Sequence, residues 1–78
     1  MEMNLNNKVY DHCKVFAKNL KLERISRGLT QKEIAENLGI KTQSYQAYES
    51  GVSLPSAENL LKLSIFLDLS IDELFELK

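Results

Sequence analysis

The chain has 78 residues, 44% hydrophobic and 27% charged, and a net charge of −1 at pH 7. That balance excludes a disordered or fibrous chain and describes one small globular domain, which buries only roughly 60% of the surface its unfolded chain exposes. No apolar stretch approaches the ~20 residues of a membrane span, and the opening MEMNLNNKVYDHC is too polar for a signal peptide, so a cytoplasmic location is expected.

Residues 1–7 are expected to form a flexible tail and residues 8–78 a single domain. In the first helix Phe16, Ala17, Leu20 and Ile25 make an apolar stripe at helical spacing, with Val9 and Cys13 extending it backward and Gly28 ending it. The second helix opens at Thr30, with Glu33 three positions on as its capping-box partner and Leu29 with Ile34 as the hydrophobic staple. Ile34, Ala35 and Leu38 share its inner face, and Gly39 stops it and turns the chain. A third helix is predicted from about Thr42 to Ser50, with Tyr45, Tyr48 and Glu49 inward and Gln43, Ser44, Gln46 and Ala47 outward. Gly51 closes it.

Downstream, Ser56 after Pro55 caps a fourth helix, whose inner face is expected to be Leu60, Leu61, Ser64 and Leu67. Asp68 ends that helix, since a short polar side chain tolerates the left-handed conformation. Ser70 and Glu73 repeat the capping box, Leu69 and Leu74 repeat the staple, and a fifth helix runs to about Leu77.

Two short helices crossing through a tight turn at Gly39 are the build of a DNA-reading unit, and the outward face of the third helix is chemically selective. Glutamine can bond adenine bidentately at the major-groove edge, serine can donate or accept, and a methyl such as that of Ala47 suits the thymine methyl.

The spaced set Arg24, Gly28-Leu29-Thr30-Gln31, Glu33-Ile34-Ala35, Leu38-Gly39-Ile40, Tyr45, Tyr48-Glu49-Ser50-Gly51, Pro55-Ser56, Leu60-Leu61, Leu67 and Asp72-Glu73-Leu74 resembles the phage repressor and Cro family of helix-turn-helix (XRE-type) proteins. The resemblance runs from Phe16 to Leu77. It implies an all-α, compact five-helix, lambda-repressor-like DNA-binding domain in which helices 2 and 3 form the helix-turn-helix. It further implies base contacts from Thr42, Gln43, Ser44, Gln46 and Ala47, phosphate contacts from Gln31, Lys32, Lys41 and Lys21, and a structural ion pair between Arg24 and Glu49. Gln31 would grip its phosphate at a helix N-terminus, where amides and dipole already favour an anion. Two departures stand out. Val52-Ser53-Leu54 occupies the place where many relatives put basic residues, and Lys41 stands where the family often has a Ser or Thr cap.

A net charge of −1 runs against the basic footprint usual for nucleic-acid binding, but its distribution is uneven. Residues 1–49 carry eight Lys or Arg against six Asp or Glu, and residues 50–78 carry two against five. The basic half is the one that would face DNA.

Catalysis finds no support in the residues. His12 and Cys13 are adjacent on a helix and point about 100° apart, too far for a nucleophile and its base. One Cys and one His also fall short of the four ligands of a structural zinc site. No cofactor or metal is expected. Leu69, Ile71, Phe75 and Leu77 are too apolar for a short terminal segment left in water, and are expected to contribute a homodimer interface that sets two recognition helices about 34 Å apart on a palindromic operator. The sequence therefore predicts a double-stranded-DNA-binding transcriptional regulator, a repressor in its simplest form. The alternative is a protein-interaction module such as an antitoxin.

Overall fold

In the computed structural model, which describes residues 5–77, five helices follow one another: α1 (Leu5–Ser26), α2 (Gln31–Leu38), α3 (Thr42–Ser50), α4 (Ala57–Leu67) and α5 (Ile71–Phe75). No described residue is in a strand. The expected tail at 1–7 needs correction: residues 1–4 lie outside the described residues, whereas residues 5–7 belong to α1. No glycine or proline between Leu5 and Ser26 interrupts the helix, so intramolecular hydrogen bonding propagates back for about three turns beyond the core-facing stripe.

Local chemistry starts α2, α4 and α5. The Glu33 amide donates to Thr30 Oγ1 at 3.0 Å while the Thr30 amide donates to Glu33 Oε1 at 2.9 Å. The same reciprocal pair joins Ser70 and Glu73, both bonds at 3.0 Å. Ser56 caps α4 by accepting from the Asn59 amide at 3.2 Å. These bonds satisfy amides that the first turn of a helix leaves without intrahelical partners. Asp68 ends α4 in the left-handed conformation, at φ 54° and ψ 46°.

One core joins the helices. Phe16 and Leu20 of α1, Ile34, Ala35 and Leu38 of α2, Tyr45 and Tyr48 of α3, Leu63 and Leu67 of α4 and Leu74 of α5 are buried together, and Leu29, Ile40, Leu60, Leu69 and Phe75 pack against them. Three expected inner positions face out, and one of them, Val9, lies 56% exposed in the backward extension of the α1 stripe. Ile25 is exposed because Arg24, one step round the helix, takes the inward place there to reach Glu49. Leu61 is exposed and Leu63 is fully buried in its stead. The run Leu60-Leu61-Lys62-Leu63-Ser64-Ile65-Phe66-Leu67 is apolar almost all round, so its inner stripe is chosen by what α4 packs against, and Leu60, Leu63 and Leu67 share that side.

The last helix is held by α1. Phe16 and Phe75 stack with ring centroids 4.6 Å apart and planes 17° from parallel. His12 Nδ1 lies 3.1 Å from the Phe75 carbonyl oxygen, an acceptor, so that nitrogen carries the proton. Asn19 Nδ2 donates to the Leu74 carbonyl at 3.0 Å and to Glu76 Oε2 at 2.9 Å. Each donor serves the end of α5, where carbonyls lack intrahelical partners. His12 is half-buried and structural.

Candidate nucleic-acid interface

The turn between α2 and α3 depends on Gly39, at φ 73° and ψ 31°. Its amide reaches back to α2, and the Ile40 amide donates to the Ala35 carbonyl at 3.0 Å. A side chain at position 39 would meet nothing nearby, so glycine is needed there for its left-handed backbone and not for space. Lys41 is the N-cap of α3 and makes no side-chain capping bond, so this helix starts without a side-chain cap.

From that start, α3 turns Tyr45 and Tyr48 into the core and leaves Gln43, Ser44 and Gln46 exposed. Thr42 and Ala47 are half-buried at the margins of that face. The Ala47 carbonyl accepts from the amides of Val52 and Ser53 at 3.0 and 3.2 Å, folding the loop after α3 back on its last turn. Val52 itself stays 81% exposed.

Beneath this face lies a chain of polar contacts reaching across three helices. Arg24 Nε donates to Glu49 Oε2 at 2.6 Å and Arg24 Nη2 to Glu49 Oε1 at 3.1 Å, while Nη1 holds the Leu29 carbonyl at 2.9 Å. The Glu49 side chain is only 4% exposed. Gln31 Nε2 donates to the same Glu49 Oε1 at 3.1 Å, and Gln46 Nε2 donates to Gln31 Oε1 at 3.2 Å. Burial by itself would raise the Glu49 carboxyl pKa, but Arg24, the neighbouring Tyr45 hydroxyl and Gln31 together outweigh it and hold the group below the ordinary carboxylate range. The same bond from Glu49 raises the Arg24 guanidinium above its usual value.

The Arg24 and Glu49 side chains thus meet as the sequence predicts. Gln31, Gln46 and Lys21 also come together: with Glu49 and Ser50 they line a cleft of about 310 Å³ where α1, α2 and α3 meet. Lys32 and Lys41 are exposed but lie outside the residues lining that cleft. Of the four residues expected at a dimer interface, Leu69, Ile71 and Phe75 are half-buried, Leu69 and Phe75 packing against the core with Phe75 stacked on Phe16, and Leu77 is 44% exposed. The bond between Gln31 and Gln46 escaped the sequence reading, as no local pattern links positions fifteen apart on different helices. Among the described residues no group of three or more His, Cys, Asp or Glu could hold a metal ion, and no helix is long and apolar enough to cross a membrane.

The helix-turn-helix family model HTH_3 matches residues 20–74. The chain belongs to the HTH_3 helix-turn-helix family. Among relatives of this HTH_3 domain, the cryptic phage CTXphi transcriptional repressor RstR of Vibrio cholerae serotype O1 is 51% identical over 45 residues, 58% of this chain and 40% of that protein. The uncharacterized HTH-type transcriptional regulator YqaE of Bacillus subtilis is 40% identical over 62 residues, 80% of this chain and 53% of that protein. The chain thus spans about half, or less, of the length of these relatives. The crystal structure of a transcriptional regulator from Listeria innocua shares the fold with a TM-score of 0.73 and 41% identity, covering 76% of this chain and 55% of that one. The family model begins at Leu20, so most of the long α1 lies ahead of it.

Proposed function

We propose that this helix-turn-helix domain binds double-stranded DNA sequence-specifically as a cytoplasmic transcriptional regulator, a repressor acting as a homodimer on a palindromic operator. The observation that carries this function is the exposed row Gln43, Ser44 and Gln46 on α3, the helix whose Tyr45 and Tyr48 are buried in the core. These side chains have the donor and acceptor pairs that major-groove base edges require. Lys21 of α1, Lys32 of α2 and Lys41 at the N-cap of α3, all exposed, supply positive charge for the flanking phosphates. The similarity to a phage repressor and to regulators of the same family supports both the DNA target and the regulatory role. The dimer rests on the apolar surface that the fold leaves open at Leu77, on the half-buried Ile71, and on the two-fold geometry that a palindrome demands.

Selection of bound sequences from a randomised duplex pool, followed by salt titration on selected and random DNA, tests this directly. A repressor of this kind returns two half-sites about one helical turn apart, and its affinity falls linearly with log salt while the preferred sequence persists. Gln43→Ala should cost about 1–3 kcal/mol on the selected site and relax one base position. Failure of both DNA pools to bind at low salt would end the proposal, and sedimentation showing only monomer at high micromolar concentration would end its dimer component.

A further inference from the structure

We infer that Glu49, acting through Gln31, fixes which end of the Gln46 side-chain amide faces outward, and so makes Gln46 a reader of adenine; the inference rests on the DNA-binding proposal above. Hydrogen-bond polarity sets the orientation of both side-chain amides. A carboxylate only accepts, so the Gln31 group 3.1 Å from Glu49 Oε1 must be its NH2. That leaves Gln31 Oε1, also an acceptor, turned toward Gln46 at 3.2 Å, and the Gln46 group facing it must in turn be its NH2. The two Arg24 bonds prevent Glu49 from rotating away. A glutamine on an open helix surface flips its amide at little cost. Gln46 cannot do so without placing two carbonyl oxygens against each other.

What remains for a ligand is the Gln46 Oε1 lone pairs and the second Nε2 proton. An acceptor beside a donor is the complement of adenine, whose N6 donates and whose N7 accepts. Guanine offers acceptors at both O6 and N7 and would set its O6 against the Gln46 oxygen. Gln31 is therefore a positioning residue: its oxygen and at least one of its protons are already committed inside the protein, and its effect on DNA passes through Gln46. Any phosphate bond it makes must use the remaining amide proton.

The test uses the full chain with Gln46→Ala and Gln31→Met, the latter keeping side-chain length and removing both bonds. In the free protein the Gln46 side-chain amide should be ordered by 15N relaxation in the wild type and mobile in Gln31→Met; equal mobility in both would overturn the relay whether or not DNA is bound. On the selected operator, Gln46→Ala identifies the base pair it reads, which should be adenine. There Gln31→Met should lower discrimination between A·T and G·C about tenfold, while discrimination at the Gln43 position holds. A uniform loss of affinity with every preference intact would overturn the positioning role yet leave the DNA reading standing, and guanine at the Gln46 position would overturn the assigned polarity. A wild-type protein with no sequence preference at all would remove the DNA reading, and base reading by Gln46 with it.

Discussion

Arg24 and Glu49 tie the first helix to the end of the third through two parallel hydrogen bonds of 2.6 and 3.1 Å, with the arginine side chain 14% and the glutamate 4% exposed. A pair this enclosed is more costly to break than to lack. Arg24→Ala leaves a carboxylate short of its main donor, and should cost about 3 kcal/mol, the lower edge of the range for a broken buried pair. Lys21→Ala removes an exposed charge from the same helix and should change stability by less than about 0.5 kcal/mol. Chemical denaturation of the two variants decides the matter, and equal midpoints would count against the pair as a structural tie.

Acid should loosen the fold from three places. The bonds from the Thr30 backbone amide and hydroxyl hold Glu33 below the ordinary carboxylate range, and Ser70 does the same for Glu73. Glu49 is lowered by Arg24, Tyr45 and Gln31 against the opposing effect of burial. A carboxyl whose folded pKa is depressed contributes stability that is complete above its unfolded pKa, about 4.3, and is lost as pH falls through the folded value. The melting temperature should therefore be level from pH 7 to about 5 and decline below about 4.5. A Glu33→Gln, Glu73→Gln double variant keeps both capping acceptors and cannot titrate there, so its acid decline should be shallower. A decline as steep as the wild type's would show that the capping carboxylates carry none of it.

Tyr45 is fully buried against this network, and its hydroxyl has no hydrogen-bond partner among the described residues. Burial pushes its pKa well above the usual tyrosine range. Since the hydroxyl is desolvated without a bond in return, Tyr45→Phe should leave stability unchanged or raise it by up to about 1 kcal/mol. A loss of more than that on thermal denaturation would mean that the hydroxyl does serve Glu49 or Arg24.

Lys41 begins the recognition helix at φ −72° and ψ 148°, a conformation suited to a capping side chain, and offers none. Lys41→Ser should add about 1 kcal/mol of stability. On DNA the same variant should bind more weakly, with the slope of log affinity against log salt reduced by about 1. Stability and affinity are expected to move in opposite directions, and a parallel change in both would contradict the separation of the two roles.

At the other end of the molecule, Asp68 holds φ 54° and ψ 46° to end α4. Relief of that left-handed strain by Asp68→Gly should stabilise by about 0.5–1 kcal/mol. Calorimetry showing no gain would place the strain elsewhere.

Local chemistry decided much of this protein before any packing was known. The capping boxes at Thr30 and Ser70, the stop at Gly39, the inward Tyr45 and Tyr48 and the outward Gln43, Ser44 and Gln46 follow from bonds and periodicities spanning three or four residues. Those interactions are complete within one or two turns, so the sequence contains both partners in order. The Arg24 to Glu49 pair was legible only through family resemblance, because its partners stand 25 positions apart.

Only the tertiary structure decided which way an all-round apolar helix turns. It buried Leu63 and exposed Leu61, and it stacked the half-buried Phe75 on Phe16. It also decided the orientation of Gln46, which depends on a carboxylate held by an arginine on another helix. Helical periodicity gives relative angles along one helix and no absolute reference to its neighbours. That reference comes from packing, and with it came the polarity of the surface proposed to meet DNA.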